Sequence, residues 1–509
     1  MSGNLFDLIR ARMPAPDARF LETQDGRVWT YGDMLARSGQ IANILTLRGV
    51  EPGDRVAVQT EKSAEAIMLY LATLRAGAVY LPLNTAYTLA ELDYFIGDAE
   101  PRLIVCDPTK QASLQELATK HGIEAIDTLD ANGKGSLPAA ADKAPPAFAD
   151  VPREDDDLAA ILYTSGTTGR SKGAMLTHRN LSSNALALLE YWQFTTRDVL
   201  LHALPIYHTH GLFVATNTIL LAGGAMLFLP RFNADEVMRL LPRATTMMGV
   251  PTFYTRLVQH PACTRDACAH MRLFISGSAP LLAETHREFE ALTGHVILER
   301  YGMTETGMNT SNPYDGERIA GTVGFPLPGI EARVAEPQTG AVLGAEEVGV
   351  IEVKGPNVFS GYWRMPEKTK EEFRSDGFFI TGDIGKIDRQ GYIHIVGRSK
   401  DLIITGGFNV YPKEVEADID ALPGVTESAV IGVPHPDFGE GVTAIVVLQK
   451  GAALSESEIG QILGDRLAKF KLPKRVLFVD DLPRNTMGKV QKNVLRERYA
   501  DLYAAAVTA

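Results

Sequence analysis

The sequence predicts an α/β protein with largely parallel sheets, followed by a small β-rich unit and a compact α+β module at the C-terminal end. Three observations carry this. Short apolar strands such as Arg55–Gln59 and Leu103–Cys106 alternate with helical patterns such as residues 63–76, the signature of βαβ layering. Later, Gly349–Lys354 and residues 377–382 and 391–396 form short strand-like pieces separated by glycine turns. From about residue 401 onward, helical stretches near 412–421 and 455–467 alternate again with apolar strands.

Each element has a local reason. Residues 211–230 are uncharged and nearly as long as a membrane span, but Gly223 and Gly224 divide them into a buried helix of about three turns and a short apolar strand that Pro230 ends. The stretch from about 130 to 157 is rich in Pro, Ala and Asp and is expected to be a surface loop. No internal repeat is visible.

The 509 residues suit about two to four domains, and an apolar fraction of 45% with 22% charged residues provides a large core. A net charge of -12 disfavours nucleic acid as a partner while allowing a local cationic site for an anionic substrate. The three cysteines, Cys106, Cys263 and Cys268, are few, odd in number and lack Cys-x-x-Cys spacing, which disfavours a disulfide framework and a thiolate metal site and fits a reducing compartment. The first twenty residues lack the apolar core of a secretory signal, so a cytoplasmic protein with no membrane association is expected.

The loop Thr164-Ser165-Gly166-Thr167-Thr168-Gly169-Arg170-Ser171-Lys172-Gly173 invites two dictionary readings. A Walker phosphate loop needs lysine directly after the last glycine and then a hydroxyl residue, whereas Arg170 and Ser171 separate Gly169 from Lys172. A serine-hydrolase elbow around Ser171 needs the strand to run straight into Gly169, whereas five loop residues intervene after Tyr163 and Thr164 is the first of them. What remains is a loop whose backbone N–H groups, hydroxyls and two cations could wrap nucleotide phosphates.

Tyr163 to Gly173 resembles the phosphate-binding signature of the acyl-adenylate-forming enzymes. Four further stretches are similar to motifs of that family, in order: Tyr301-Gly302-Met303-Thr304-Glu305, Thr381-Gly382-Asp383, Gly397-Arg398-Ser399-Lys400-Asp401, and residues 483–489 ending in Gly488-Lys489. The resemblance spans nearly the whole chain. It implies an N-terminal domain, 1–399, of two α/β-layered subdomains plus a small β-barrel, joined by a hinge at Lys400 to a small mobile C-terminal domain, 400–509.

The activity implied is attack of a carboxylate on the α-phosphate of ATP, then transfer of the acyl group to coenzyme A, with Mg2+ as cofactor. By resemblance, Thr164 to Lys172 would clamp the phosphates together with Tyr301, Gly302 and Met303, Thr304 would meet the α-phosphate, and Glu305 would hold the metal. Asp383 and Arg398 would bind the ribose side of the nucleotide. Lys489 would bridge the substrate carboxylate and the α-phosphate, and an acetyltransferase or deacetylase acting on it would be a partner. His208 would orient the carboxylate, with a His208-x-His210 metal site as its rival, and Gly406 and Gly407 would line the thiol channel.

Arg300 stands where the family more often has a small or uncharged residue, and Arg287 lies on the helix predicted to follow residues 276–280. Either guanidinium could pair with a second carboxylate on the substrate. With Met303 and residues 207–210 and 306–313, this resembles the branch of the family that activates malonate and methylmalonate. An acyl-CoA ligase for another short acid, or an enzyme loading a separate carrier protein, are the alternatives.

Overall fold

The computed structural model describes residues 3–164, 171–406, 408–464, 466–485 and 488–504, with only the backbone at 409. The chain divides into two units, residues 1–332 with 353–379, and residues 333–352 with 380–509.

The first unit holds two large sheets. In one, the parallel strands Val79–Pro82, Arg55–Gln59, Leu103–Cys106 and Ala125–Thr128 lie beside Leu158–Thr164, and Lys172–Thr177 and Gly361–Tyr362 extend the edge antiparallel. In the other, Leu298–Met303, Leu273–Ser276, Thr246–Gly249, Val199–His202, Ala225–Phe228 and Arg19–Thr23 run parallel in that spatial order, flanked by antiparallel strands at both ends. Strands such as Leu103–Cys106 and Leu273–Ser276 are buried at every position, as a parallel sheet covered on both faces requires.

Helix starts are legible from their caps. Thr30 with Asp33, Thr88 with Glu91 and Thr177 with Asn180 form reciprocal capping boxes, and Ser63 caps Ala64–Arg75, the helix expected over 63–76. In the apolar stretch a π-helix, His210–Thr216, precedes the helix Asn217–Ala222; Gly223, at φ +68°, ends it and Ala225–Phe228 forms the strand. Among the described residues no helix is long and apolar enough to cross a membrane.

The expected surface loop at 130–157 is more structured than its composition suggests. It contains the helix Ser136–Ala141, which buries Leu137 and Pro138. Arg75, only 2% exposed, holds the following segment through Asp150 at 2.6 Å and also donates to the Leu35 carbonyl at 2.7 Å and Ser38 Oγ at 2.8 Å.

The second unit contains most of a four-stranded sheet, Glu331–Ala335, Gly349–Lys354, Phe379–Ile387 and Ile393–Arg398, where the small β-barrel was expected. Its other sheet has Val425–His435 and Gly439–Leu448 as a long antiparallel pair, joined by Ile403–Thr405, Phe408–Val410 and Arg475–Phe478. Helices Pro412–Asp420 and Glu456–Gly464 pack on it through Val415, Ile419, Ile459 and Leu463, close to where their periodicity places them.

Replacing Arg75 with methionine leaves the Asp150 carboxylate in a half-dry site. Arg75→Met is expected to cost about 3–5 kcal/mol of unfolding free energy in urea titration and to open residues 142–152 to limited proteolysis.

Candidate active site

Parallel strands deliver their following loops to one edge of a sheet, where ligands of open α/β sheets bind. In the nine-stranded sheet that edge carries three segments. Val199–His202 leads to His208 and His210, Leu273–Ser276 leads to Gly277 and Ser278, and Leu298–Met303 carries Arg300 into the turn at Thr304. The register sets Met248 opposite both His202 and Ile275, and Ser276 opposite Glu299, so Arg300 follows directly beside Gly277.

Arg300 is 3% exposed, and its Nε and Nη2 have no hydrogen-bond partner among the described residues. Burial pulls its guanidinium down to about 9, with Tyr254 opposing the shift. Room for it comes from a missing side chain: a Cβ at Gly277 would lie 2.4 Å from Arg300 Cζ. The next residue, Ser278, adopts φ +71° and places Oγ 3.2 Å from His210 Nδ1.

His210 is 1% exposed, and its Nε2 also lacks a partner among the described residues, as do the hydroxyls of Thr209 and Ser276. Burial holds the His210 imidazole well below its ordinary value, reinforced by Arg300, His208 and His202. His208 is half-buried, and its Nδ1 accepts from the His210 backbone N–H at 3.2 Å. Arg300 and His210 thus flank one dipeptide, a basic and polar cradle that fits a carboxylate. Arg287 is exposed on the helix Ala283–Thr293.

The adjoining turn is shaped by glycine. A Cβ at Gly302 would lie 2.0 Å from the Gly307 carbonyl oxygen, so the chain folds tightly back after Tyr301 and holds Thr304 half-exposed and Glu305 buried. Glu305 accepts a hydrogen bond from the Tyr362 hydroxyl at 3.0 Å, and its backbone carbonyl accepts from Phe359 N at 2.8 Å.

Tyr362 links this carboxylate to Lys172. Lys172 Nζ lies 4.1 Å from the Tyr362 ring centroid and 3.4 Å from Glu372 Oε1. Thr164 and Lys172 sit opposite each other in an antiparallel pair, and Tyr94 donates to the Ser171 carbonyl at 2.8 Å. Ser165, Gly166, Thr167, Thr168, Gly169 and Arg170 lie outside the described residues, as does Gly407.

In the second unit Asp383 and Arg398 pair across neighbouring strands, Oδ1 to Nε 2.8 Å apart, with Asp383 buried. Gly382, at φ +69°, lies within the strand Phe379–Ile387, and Thr381 Oγ1 accepts from the Asp383 N–H at 3.1 Å. Lys489 follows Gly488 in a hairpin whose ends pair at Arg484 and Val490; its N–H donates to Asn485 Oδ1 at 2.9 Å. Burial lowers the Lys489 ammonium to about 8; Arg398 and Lys400 act in the same direction, and Asp383 and Asp401 oppose it. Lys400 is exposed in the short turn Ser399–Asp401, and Gly406, at φ +58°, sits between two strands with its N–H on the Phe438 carbonyl at 2.8 Å.

Comparison with known proteins supplies the family. A family model described as AMP-binding enzyme matches residues 10–363, and one described as AMP-binding enzyme C-terminal domain matches residues 414–489. The chain belongs to the AMP-binding enzyme family. It is 65% identical to ATP-bound MatB from Rhodopseudomonas palustris, with a TM-score of 0.97 over 99% of this chain and 100% of that one. It is 35% identical to a malonate–CoA ligase of Arabidopsis thaliana, covering 97% of this chain and 89% of that protein, and 36% identical to a feruloyl-CoA synthase of Amycolatopsis, covering 96% and 97%. The chain therefore has the adenylate-forming fold, with a large N-terminal and a small C-terminal domain. It is an AMP-forming acid–thiol ligase that uses ATP and CoA.

Sequence reasoning missed His210 as a site residue, because its partner Ser278 is 68 positions away. It also missed Tyr362, which no motif marks. If Lys489 serves adenylation as a point charge, a charge it carries only below its pKa, kcat/KM for adenylation is expected to fall as pH rises through about 8. Lys489→Arg should move that alkaline limb upward, and a pH profile of pyrophosphate release checks both.

Proposed function

We propose that the acid activated is malonate, with methylmalonate as a second substrate. The observation that carries this is Arg300, a buried guanidinium with two donors that no described residue satisfies. Relatives with near-equal identity differ in their named acid, so identity alone does not choose; a charged group in the acyl pocket does. One malonate carboxylate reacts while the other would pair with Arg300 Nε and Nη2 and His210 Nε2. An acid with only an apolar tail would leave those groups dry and unpaired, which favours malonate on the order of a thousandfold.

In the first step an oxygen of the reacting carboxylate attacks the α-phosphorus in line. The bond to pyrophosphate breaks, giving malonyl-adenylate and pyrophosphate. In the second step the CoA thiolate attacks the acyl carbon and AMP leaves; the thiol proton passes to solvent. His208 orients the reacting carboxylate, and Lys489, a compact cation on a flexible stem, neutralises charge gathering between carboxylate and α-phosphate. The loop Thr164 to Lys172 and the turn Tyr301 to Thr304 hold the phosphates, while Asp383 and Arg398 hold the ribose side.

Mg2+ takes few protein ligands beside nucleotide phosphates, and one buried carboxylate fits that need. Glu305 would hold it, with Tyr362 keeping the carboxylate in place, and the ion would supply charge neutralisation on the phosphates. Gly406 and Gly407 are assigned to the thiol path, and the division 1–399 and 400–509 with Lys400 as hinge to the movement between the two half-reactions. The protein is read as cytoplasmic, and acetylation of Lys489 would switch off adenylation by removing its charge.

The test is AMP formation with Mg-ATP, CoA and acetate, malonate, methylmalonate, succinate, sulfoacetate or octanoate. Malonate should have the highest kcat/KM, and Arg300→Met should lower it by about a hundredfold or more while leaving the KM for ATP unchanged. A higher kcat/KM with acetate or octanoate, or unaltered malonate kinetics in the variant, would refute the assignment.

A further inference from the structure

A second buried cation lies near the histidines and has no place in the chemistry above. Lys62 follows the strand Arg55–Gln59 of the seven-stranded sheet, whereas the groups it meets belong to the nine-stranded sheet. Its Nζ lies 2.9 Å from His202 Nδ1 and 2.8 Å from the His202 carbonyl oxygen, and 4.2 Å from the ring centroid of Phe228. His202 Nε2 lies 2.9 Å from the Gly211 carbonyl oxygen and 3.2 Å from Thr216 Oγ1, and that hydroxyl also donates to the Gly211 carbonyl at 2.9 Å.

These contacts fix the histidine. A carbonyl oxygen only accepts, so His202 Nε2 must carry the proton and donate to Gly211. A neutral ring then leaves Nδ1 bare, and only a donor can face it. Lys62 is that donor, whether its amine is charged or not. A doubly protonated ring is opposed by burial and by Lys62 itself, which hold His202 well below its ordinary value.

The far end of this chain is the π-helix His210–Thr216. Gly211 allows a close approach there: a Cβ at Gly211 would lie 2.0 Å from the Pro205 carbonyl oxygen. The carbonyl that His202 grips belongs to the residue directly after His210. π-helical turns are rare and concentrate at functional sites, where they re-aim a side chain at the cost of poorer helical hydrogen bonding. Here the aimed side chain is His210, pinned on the other side by Ser278.

We infer that Lys62 and His202 are positioning residues for substrate recognition: Lys62 locks His202 as its Nε2-H form, and His202 holds the Gly211 carbonyl so that His210 faces the substrate's distal carboxylate. The inference rests on the reading of Arg300 and His210 as the distal-carboxylate cradle. It assigns a function to the junction of the two sheets, through which the seven-stranded sheet acts on the acid pocket of the other.

The test combines spectroscopy with kinetics on the full chain. In histidine-selective 15N NMR of the wild-type enzyme, His202 should keep Nε2 protonated and Nδ1 bare between about pH 6 and 8.5, a range in which an ordinary imidazole would titrate. A His202 that titrates there, or that carries its proton on Nδ1, overturns the inference. Lys62→Met should lower kcat/KM for malonate by about tenfold to a hundredfold, leave the KM for ATP unchanged, and make His202 titratable. Unchanged malonate kinetics in a folded Lys62→Met variant also overturns it, and if that variant does not fold the wild-type spectrum decides. Arg300→Met and His210→Ala are measured alongside: if neither alters malonate kinetics, the substrate reading fails, while the state of His202 still reports on the lock.

Discussion

The buried guanidinium of Arg300 is the constraint around which the acid pocket is arranged. Taking a cation out of water costs several kcal/mol unless partners replace its hydration, and two of its nitrogens have none among the described residues. The fold carries that cost by packing. Tyr254 beneath it and the bare face of Gly277 beside it leave the group one place to go, and parallel strands in fixed register keep it there. A charge held dry and unpaired gains most from an anion that arrives with the substrate, which makes recognition polar and therefore sharp.

The same economy runs through the rest of the pocket. Arg300, His208 and His202 each lower the proton affinity of His210, and Lys62 lowers that of His202. The proposed phosphate side is built differently: Lys172 rests against Tyr362 and Glu372, and the Tyr362 hydroxyl donates to Glu305, so the Lys172 cation and the Glu305 carboxylate are held apart by one phenol.

Local physics made much of this legible in the sequence. Strands such as Leu103–Cys106 and the capped helix Ala64–Arg75 follow from periodicity and caps. The helix Ser136–Ala141 was not legible, because its stability comes from burying Leu137 and from the fastening of the next segment by Arg75 rather than from its own composition. Tyr362 escaped notice because it reaches the site only through the short strand Gly361–Tyr362 pairing with Lys172–Thr177, a contact nearly two hundred residues long in sequence. Lys62 was invisible for the same reason, as a lysine after a strand reads as surface until the second sheet is laid over it. Arg300 was legible as an oddity of pattern, and its burial turned the oddity into an argument.

The most direct measurement is a crystal structure of the enzyme with a non-hydrolysable malonyl-adenylate analogue. The account predicts the distal carboxylate about 2.8 Å from Arg300 Nε and Nη2, with His210 Nε2 as a further donor. A distal carboxylate held by other residues, with Arg300 still without an anionic partner, would contradict it.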